Sequence, residues 1–323
     1  MSALDQPLLI ANSNYHVGHQ VAIAVAQERG FFQQEGFKDY VYDAGGLIPG
    51  PFERDGLAMA MKNRGVDIAT AVDIEAAIFQ RCAGADLCIV AGWRYTPLLK
   101  WYGAKHVTHM SALRGGRIGM REKEGLVQVF INDALRRAGV DPEKDVRWVY
   151  DPVFGYRNNP AHAERLRLGE VEAITSQPPF SDQLEKDGYP MILDPNQVFP
   201  RRPGKITVAT AKTIEQRGDE LRAYLRAIIR SFWFMRDVNN FKYLKDLEAR
   251  LRKTNTHNED ELRLAIVTSP DRVESWALPV DGGVAPHAVE RIVQEMIDAG
   301  KLNRKLSVKE ILRDGPVIDA YRA

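Results

Sequence analysis

The stretch VAQERGFFQQEGF, residues 25–37, decides the fold of this chain. It follows a short apolar strand (Leu8–Ala11), a polar loop (Asn12–His19) and the body of a helix, and it leads into a second strand. After one more helix the segment closes with NRGVDIA, residues 63–69. Strands that alternate with helices in this manner predict a βαβ unit with parallel strands and helices on both faces.

The same order of elements occurs a second time along the chain. The second copy contains ALRGGRIGM (residues 112–120), a loop, a helix, LRRAGVDPEKDV (residues 135–146), a strand, and LRLGEVEAI (residues 166–174). Two βαβ halves with matching closing phrases predict two α/β lobes that face one cleft. This arrangement is a clamp for a small molecule.

Breaks rich in proline and glycine mark the two positions where the chain is expected to cross between the lobes. They lie at Pro97 and at Pro200–Gly204. We therefore expect residues 98–204 to form one lobe, and residues 1–97 with 205–323 to form the other.

From about Asp219 the pattern becomes almost entirely helical. Further helices are predicted at residues 241–253, 259–268, 285–299 and 308–313. The fold class predicted is therefore α/β, with a doubly wound sheet in each lobe and extra helices at the C-terminus.

Charge and cysteine content exclude several kinds of partner and site. The chain of 323 residues has 44 basic and 43 acidic side chains, a formal net charge of +1, which favours neither nucleic acid nor an anionic membrane. Cys82 and Cys88 do not have the CxxC spacing of a zinc site. The pairs His16/His19 and His106/His109 have no carboxylate or thiol that resembles a ligand close by in sequence. We expect no metal and no cofactor.

The localisation follows from the absence of two sequence signals. No run approaches the roughly 18 apolar residues of a membrane span. Residues 1–7 lack the basic and apolar regions of a secretory signal. As written, the chain is expected to be cytoplasmic; if a leader has been removed, it is periplasmic or extracellular.

The phrases quoted above resemble the SsuA-like solute-binding proteins of sulfonate, nitrate and thiamine-precursor importers. This family shares its branch with the thiamine pyrimidine synthases. The resemblance spans residues 8–240 and implies the type 2 periplasmic binding fold, a small-molecule ligand and an ABC permease as partner.

The fold named by this resemblance also carries enzymes. One is a desulfinase whose nucleophile is a cysteine in the first loop, where this chain has Tyr15. Another is the yeast pyrimidine synthase, whose cysteine-rich iron motif this chain lacks. Both differences count against those two reactions, and an enzyme with another reaction remains an alternative.

Ligands of doubly wound sheets bind beyond the carboxyl ends of the strands, so the loops there should supply the contacts. The loop Asn12–His19 precedes a helix, whose N-terminus attracts anions. Alternatively, Asn12 or Ser13 only caps that helix, and Asp73 caps a later one. The residues predicted to contact ligand are Asn14, Tyr15, His16, Asp43, Gly45, Asp73, Trp93, Arg94, Tyr95, Arg121, Phe154, Tyr156 and Gln177.

Trp93-Arg94-Tyr95 is expected to follow the fourth strand, near the first crossing. The arginine would pair with a carboxylate or sulfonate while an aromatic ring covers a flat ligand. The alternative is a set of hinge residues that pack between the lobes.

The loop that begins with Arg121 is charged, whereas the resemblance implies small hydroxyl residues around an anionic group there. Arg121 would replace those contacts with a bidentate grip, or the loop is a solvated turn.

The leading interpretation is a protein that binds a small organic anion, aromatic or heterocyclic, in the cleft between the lobes. The first alternative is a cytoplasmic enzyme, such as a decarboxylase (a lyase) or a hydrolase of an aromatic or heterocyclic acid. His16, His19, Arg121 and Glu122 would then supply acid–base and electrophilic groups. A ligand-sensing module is a third interpretation.

Overall fold

A computed structural model describes residues 6–13, 17–44, 57–95, 100–120, 126–151, 154, 159–176, 180–199, 202–254 and 281–322. The chain divides into two compact units. The first combines Met1–Thr96 with Pro203–Ala323, and the second is Pro97–Arg202.

The first unit contains a sheet of five strands. These are β1 (Leu8–Asn12), β2 (Tyr40–Asp43), β3 (Ile68–Asp73), β4 (Cys88–Tyr95) and β10 (Pro203–Ala209). Their order across the sheet is β2-β1-β3-β10-β4. Strand β10 runs antiparallel to both of its neighbours, and the other four strands run parallel to one another.

The second unit also contains a sheet of five strands. These are β5 (Lys100–Gly103), β6 (Arg117–Met120), β7 (Arg147–Tyr150), β8 (Ala173–Ser176) and β9 (Met191–Leu193). Their order is β7-β6-β8-β5-β9, with β5 antiparallel to both neighbours. The two sheets thus share one topology, in which β5 corresponds to β10. The repeated order of sequence phrases reflects this repeated topology.

Both sheets are mixed, whereas the alternation of strands and helices predicted parallel ones. The antiparallel strand of each sheet, β5 or β10, is the first strand after the chain passes from one unit to the other. It is therefore not part of a βαβ crossover, which is the connection that makes neighbouring strands parallel.

The helices occupy the connections between the strands and most of the C-terminal region. In the first unit they are α1 (Val17–Glu28), α2 (Phe31–Gln34), α3 (Leu57–Arg64), α4 (Ile74–Cys82), α9 (Ala211–Gln216), α10 (Gly218–Arg236), α11 (Phe241–Thr254), α12 (Pro286–Asp298), α13 (Val308–Ile311) and α14 (Gly315–Arg322). In the second unit they are α5 (Leu126–Arg137), α6 (Asn159–Arg167), α7 (Phe180–Lys186) and α8 (Pro195–Val198). The helix predicted at residues 259–268 lies outside the described residues. No helix in the described part of the chain is both long and apolar enough to cross a membrane.

The decisive stretch, residues 25–37, forms a corner that joins the first βαβ segment to α10. Gly30 adopts a left-handed backbone conformation (φ 70°) between α1 and α2, a conformation that glycine adopts without steric cost. The corner buries Phe32 and Phe37. Glu35 receives hydrogen bonds of 2.7 Å from both Arg226 and Arg230 of α10. Burial alone would raise the pKa of Glu35, but the two guanidinium groups lower it below its ordinary value.

The last described segment covers the outer edge of the first sheet. Leu312 forms a parallel bridge with Ile89 of β4, and the amide of Arg313 donates to the Ile89 carbonyl at 2.8 Å. The amide of Gly92 donates to the Gly282 carbonyl at 2.7 Å. These contacts satisfy backbone groups that an uncovered edge strand would leave open.

Gly119 of β6 permits close packing in the core of the second unit. A Cβ atom at this position would lie 2.6 Å from Cε1 of the Phe154 ring. Phe154 is 5% exposed and belongs to a cluster with Tyr102, Leu166 and other buried residues. Phe154 therefore packs inside its unit, and its role as a ligand contact stays a prediction.

Gly119→Ala should lower the free energy of unfolding by about 1–3 kcal/mol, because the added methyl group collides with the Phe154 ring. Chemical denaturation measures the change. Gly315→Ala is the control, since its added Cβ meets no atom within 4 Å. The control should stay within about 0.5 kcal/mol of the parent protein. An equal effect of both substitutions would contradict the packing argument.

Candidate ligand site at the carboxyl edge of the first sheet

Four strand ends and one strand start meet at a single edge of the first sheet. Because β1 to β4 are parallel and β10 is antiparallel to its neighbours, the carboxyl ends of the four lie beside the beginning of β10. This edge is where open α/β sheets bind ligands. Charged or polar side chains at the edge include Ser13, Asp43, Asp73, Arg94 and Lys205.

Lys205 is a buried cation at this edge. Its side chain is 10% exposed, and its Nζ lies 2.8 Å from Oδ1 of Asp73, whose side chain is 43% exposed. Asp73 occupies the N-cap position of α4, yet its side chain makes no capping hydrogen bond. The carboxylate instead balances the ammonium group, which corrects the alternative that Asp73 caps the helix. A buried ammonium needs such a partner, because burial of an isolated charge is costly.

Arg94 lies directly opposite Lys205 on the other neighbouring strand, β4. The register between β10 and β4 shifts on both sides of this pair, between Pro203 and Lys205 and between Lys205 and Ile206. Such β-bulges redirect side chains and are enriched next to functional sites. Asp73, Lys205 and Arg94 therefore form a row of one anion and two cations across three adjacent strands.

A further irregularity lies in β3, two residues before Asp73. Ala71 has a φ of 54°, in the left-handed region that residues other than glycine rarely adopt. Two residues of β3, Thr70 and Ala71, face the single residue Thr207 of β10, which is a bulge. A left-handed residue other than glycine costs on the order of 1–3 kcal/mol and persists where the surroundings enforce it.

Ser13 is one of the contacts that hold this bulge. Its Oγ donates a hydrogen bond of 2.6 Å to the Ala71 carbonyl, and its amide donates to the Thr70 carbonyl at 2.9 Å. Ser13, the first residue after β1, is therefore hydrogen-bonded to the bulge in β3.

Asn12 lies directly behind that loop and is fully buried. Its Nδ2 donates to the Tyr42 hydroxyl at 2.6 Å, and its Oδ1 accepts from Thr70 Oγ1 at 2.6 Å. Burial raises the pKa of Tyr42, and the hydrogen bond from Asn12 lowers it only in part. Asn12 therefore links three adjacent strands, and both of its side-chain atoms are used in the core.

Two other predicted residues have protein partners. Asp43 forms an ion pair with Arg64 of α3. His19, proposed for acid–base work, is 4% exposed in the first turn of α1. Both stay near the carboxyl ends of β2 and β1, where the sequence predicted them.

Trp93 packs in the core of the first unit, and its role as a ligand contact stays a prediction. The residue is 2% exposed, and its ring packs edge-to-face on Phe232 of α10 with centroids 5.6 Å apart. Trp93, Arg94 and Tyr95 were predicted to follow the fourth strand, but all three lie inside β4. Since successive residues of a strand face opposite ways, Trp93 points to the core and Arg94 to the other face of the sheet. Arg94 and Tyr95 are each half-buried.

The second unit contains a fully buried cation, Arg202, that was not among the predicted site residues. The Arg202 guanidinium lies 4.8 Å from the ring centroid of Phe130 and 5.8 Å from that of Phe199. Cation–π contacts of this kind stabilise a guanidinium away from water.

Several predicted contacts lie outside the described residues: Asn14, Tyr15, His16, Gly45, Arg121, Glu122, Tyr156 and Gln177. Among the residues that are described, no three or more His, Cys, Asp or Glu side chains come close enough to hold a metal ion.

Lys205 is the site residue that sequence reasoning missed. The crossing between the lobes was predicted at Pro200–Gly204, whereas β10 already starts at Pro203 and includes the lysine. The sequence did contain a signal for it. Lys205 directly precedes an apolar strand and lies next to a Pro/Gly break, and a lysine at the start of a buried strand is rarely buried without a partner.

Solved structures of low sequence identity share the fold. The periplasmic aliphatic sulphonate-binding protein SsuA of Escherichia coli is 15% identical with a TM-score of 0.66, and the match covers 95% of this chain and 92% of that one. The periplasmic nitrate-binding protein NrtA of Synechocystis is 13% identical with a TM-score of 0.65, covering 98% and 88%. The desulfurization enzyme DszB is 13% identical with a TM-score of 0.64, covering 98% and 99%. These likenesses confirm the predicted type 2 periplasmic-binding fold.

No curated protein matches the chain by sequence. A family model does match, and it spans residues 15–247, which is more than half of the chain and includes β2 to β10. This span contains the repeated phrases from which the SsuA-like resemblance was recognised. The chain belongs to the NMT1-like family.

Proposed function

We propose that the chain binds a small organic anion at the carboxyl edge of the first sheet, as the solute-binding component of an ABC-type importer. The observation that carries the proposal is Lys205, a nine-tenths buried cation beside Arg94 at the edge where this architecture takes ligands. Two proteins of the same fold are a sulphonate-binding and a nitrate-binding protein, and both ligands are anions.

In this proposal the anion is recognised by two adjacent cations, Arg94 and Lys205, beside Ser13, whose position is fixed by hydrogen bonds. A guanidinium binds a carboxylate or sulfonate through two parallel hydrogen bonds, whereas an ammonium acts as a point charge. Arg94 would grip the acidic group, and Lys205 would add attraction at short range. The contacts among Ser13, Asn12 and the bulge at Ala71 hold Ser13, the first residue after β1, in place before the ligand arrives.

The remaining ligand contacts are proposed because these residues follow the carboxyl ends of strands, where ligands of such sheets bind. Asn14, Tyr15, His16 and Gly45 follow strands of the first sheet along the chain, and Tyr95 is the last residue of β4. Arg121, Tyr156 and Gln177 follow strands of the second sheet. A permease of an ABC importer is the proposed partner, and the protein would then act outside the cytoplasmic membrane.

Thermal unfolding in the presence of ethanesulfonate, benzenesulfonate, benzoate or nitrate tests the proposal. A bound anion at about 100 times its Kd should stabilise the protein by about 2.7 kcal/mol, and the Tm should rise by several degrees. Sodium chloride at equal ionic strength is the control for general salt effects. No rise with any of the four anions, together with no small molecule in mass spectra of the purified protein, would count against the proposal.

The same samples separate binding from catalysis. DszB shows that this fold supports an enzyme as well as binding proteins. If the protein only binds, the anion recovered after a long incubation is chemically unchanged. A protein-dependent product would favour the enzyme interpretation, and His19, buried in the first turn of α1, would be the first acid–base group to replace.

A further inference from the structure

Ala71 has an exceptional backbone conformation for a residue inside a strand. Within the ranges that the structure describes, it is the one residue other than glycine whose φ is positive. It is fully buried in β3, where the chain makes no turn that would call for a left-handed residue. Such a costly conformation persists only where its surroundings enforce it.

The bulge at Ala71 changes which side chain of β3 lies opposite Lys205. On one side of the bulge, Ala69 lies opposite Val208. On the other side, Asp73 lies opposite Lys205. In an antiparallel ladder each step along one strand is matched by one step back along the other. Without the extra residue, the register of the first pair would have placed Val72 opposite Lys205.

This difference of one residue decides whether the buried ammonium group has a partner. The side chain of Lys205 is 10% exposed, and a buried charge without a partner is costly. Val72 has no group that could balance the charge. In the bulged register, Nζ of Lys205 lies 2.8 Å from Oδ1 of Asp73. The bulge therefore sets the ion pair at the candidate site.

Ser13 holds Ala71 in this conformation. In a regular strand, consecutive carbonyl groups point toward opposite neighbouring strands. Here the carbonyls of Thr70 and Ala71 both accept hydrogen bonds from Ser13, the first from its amide at 2.9 Å and the second from its hydroxyl at 2.6 Å. The hydroxyl thus provides the donor for the carbonyl that the left-handed residue has turned toward β1.

We propose that Ser13 and Ala71 are positioning residues for Lys205. The Ser13 hydroxyl holds Ala71 in its left-handed conformation, and the resulting bulge places Asp73 opposite the lysine. Neither residue needs to touch a ligand for this role. The inference goes beyond the proposed function, because it concerns how Lys205 is held, whichever molecule the site accepts.

Labelling of the full chain with acetic anhydride, followed by mass spectrometry of its peptides, measures how firmly Lys205 is held. A buried, paired ammonium group reacts at a rate set by the fraction of molecules in which the pair is open. In Ser13→Ala the labelling rate of Lys205 should rise by about five- to tenfold, the value of one buried hydrogen bond. The exposed Lys62 and Lys212 are internal references whose rates should not change.

Ala71→Gly tests whether Ser13 acts through the bulge. Glycine adopts the left-handed backbone without steric cost, so it should keep the bulge even without the hydroxyl. In the double variant with Ser13→Ala, the labelling rate of Lys205 should return to within about twofold of the parent rate. Ala69→Gly is the matched control, because Ala69 is equally buried in the same strand but has no positive φ. Combined with Ser13→Ala, it should leave the rate raised.

The two glycine variants alone provide a second measurement, which decides the question if Ser13→Ala folds poorly. Ala71→Gly should keep or raise the Tm, because it relieves the left-handed alanine. Ala69→Gly should lower the Tm by about 2–4 °C, the usual cost of glycine in a strand of a domain of this size. Equal losses of Tm in both variants would overturn the inference, because Ala71 would then carry no strain.

Three labelling results would also overturn the inference. They are an unchanged rate for Lys205 in Ser13→Ala, no recovery when Ala71→Gly is added, and an equal recovery when Ala69→Gly is added. The first would show that the hydroxyl does not hold the ion pair, and the other two that it does not act through Ala71. None of these measurements uses a ligand, so their failure leaves the anion-binding proposal to its own test.

Discussion

Asn12→Leu should lower the free energy of unfolding by about 2–4 kcal/mol. Leucine has the same branched skeleton of heavy atoms as asparagine but provides neither a donor nor an acceptor. The substitution leaves the hydroxyl groups of Tyr42 and Thr70 without their 2.6 Å partner in the interior of the sheet. An unsatisfied buried polar group costs about 1–3 kcal/mol. Urea denaturation, followed by circular dichroism, measures the loss.

A double-mutant cycle with Tyr42→Phe separates the hydrogen bond from other effects of the leucine. Tyr42→Phe alone leaves the Asn12 amide without an acceptor and should also destabilise the protein. The combination Asn12→Leu with Tyr42→Phe removes both partners, so its cost should be smaller than the sum of the single costs by about 1 kcal/mol or more. Additive costs, or a loss below about 0.5 kcal/mol for Asn12→Leu, would show that the network does not stabilise the sheet.

Local sequence signals predicted the fold because each of them acts within a few residues. Gly30 ends α1 through its left-handed backbone, and Phe32 and Phe37 face the core at the spacing of a tight corner. Glycines at similar corners, such as Gly139 and Gly169, occur at the matching places of the second copy. The order of these signals along the chain was sufficient to predict the two βαβ segments and to identify the family resemblance.

The details of the site depend on contacts between distant residues, which local signals do not encode. Lys205 meets Asp73 only because β10 enters the sheet between β3 and β4, after the chain has passed through the second unit. An antiparallel strand inserted in this way was not predicted, so the lysine was not recognised as a site residue. The bulge at Ala71 likewise requires β10 as its partner strand.

The direction of the side chains within β4 is the other feature of the site that the sequence did not predict. The sequence presented Trp93, Arg94 and Tyr95 as one group after a strand. Their inclusion in the strand separates Trp93, which packs on Phe232, from Arg94. Inside a strand successive side chains face opposite ways, whereas residues of a loop need not, so the misplaced strand end concealed this separation. The prediction for Arg94 is untouched by this correction, and it can now be tested without Trp93 as a partner.

Arg94→Ala should weaken anion binding by a factor of about 30 to 1000, or 2–4 kcal/mol, since truncation removes one partner of a charge-assisted contact. The measurement is titration with whichever anion of the thermal panel gives the largest rise in Tm. Arg94→Lys keeps the charge but not the planar fork, so it should recover only part of the affinity. A full recovery by lysine would mean that charge alone is recognised.

The melting temperature of the unliganded Arg94→Ala protein decides between a ligand residue and a structural one. Arg94 is half-buried at the end of a strand whose register is already interrupted on both sides, so removal of its side chain should change the Tm by no more than about 2 °C. If Arg94 instead stabilises the fold, the Tm falls by several degrees and the affinity stays nearly intact.

Lys205→Met should likewise lose affinity for the anion with little loss of stability. The Asp73 carboxylate that remains in this variant is 43% exposed and can be hydrated, so it is not left as an unpaired buried charge. Two variants that lose binding but keep their Tm would place the recognition of the anion on these two adjacent cations, whereas a fall in Tm with intact affinity in both would move the ligand site away from this edge.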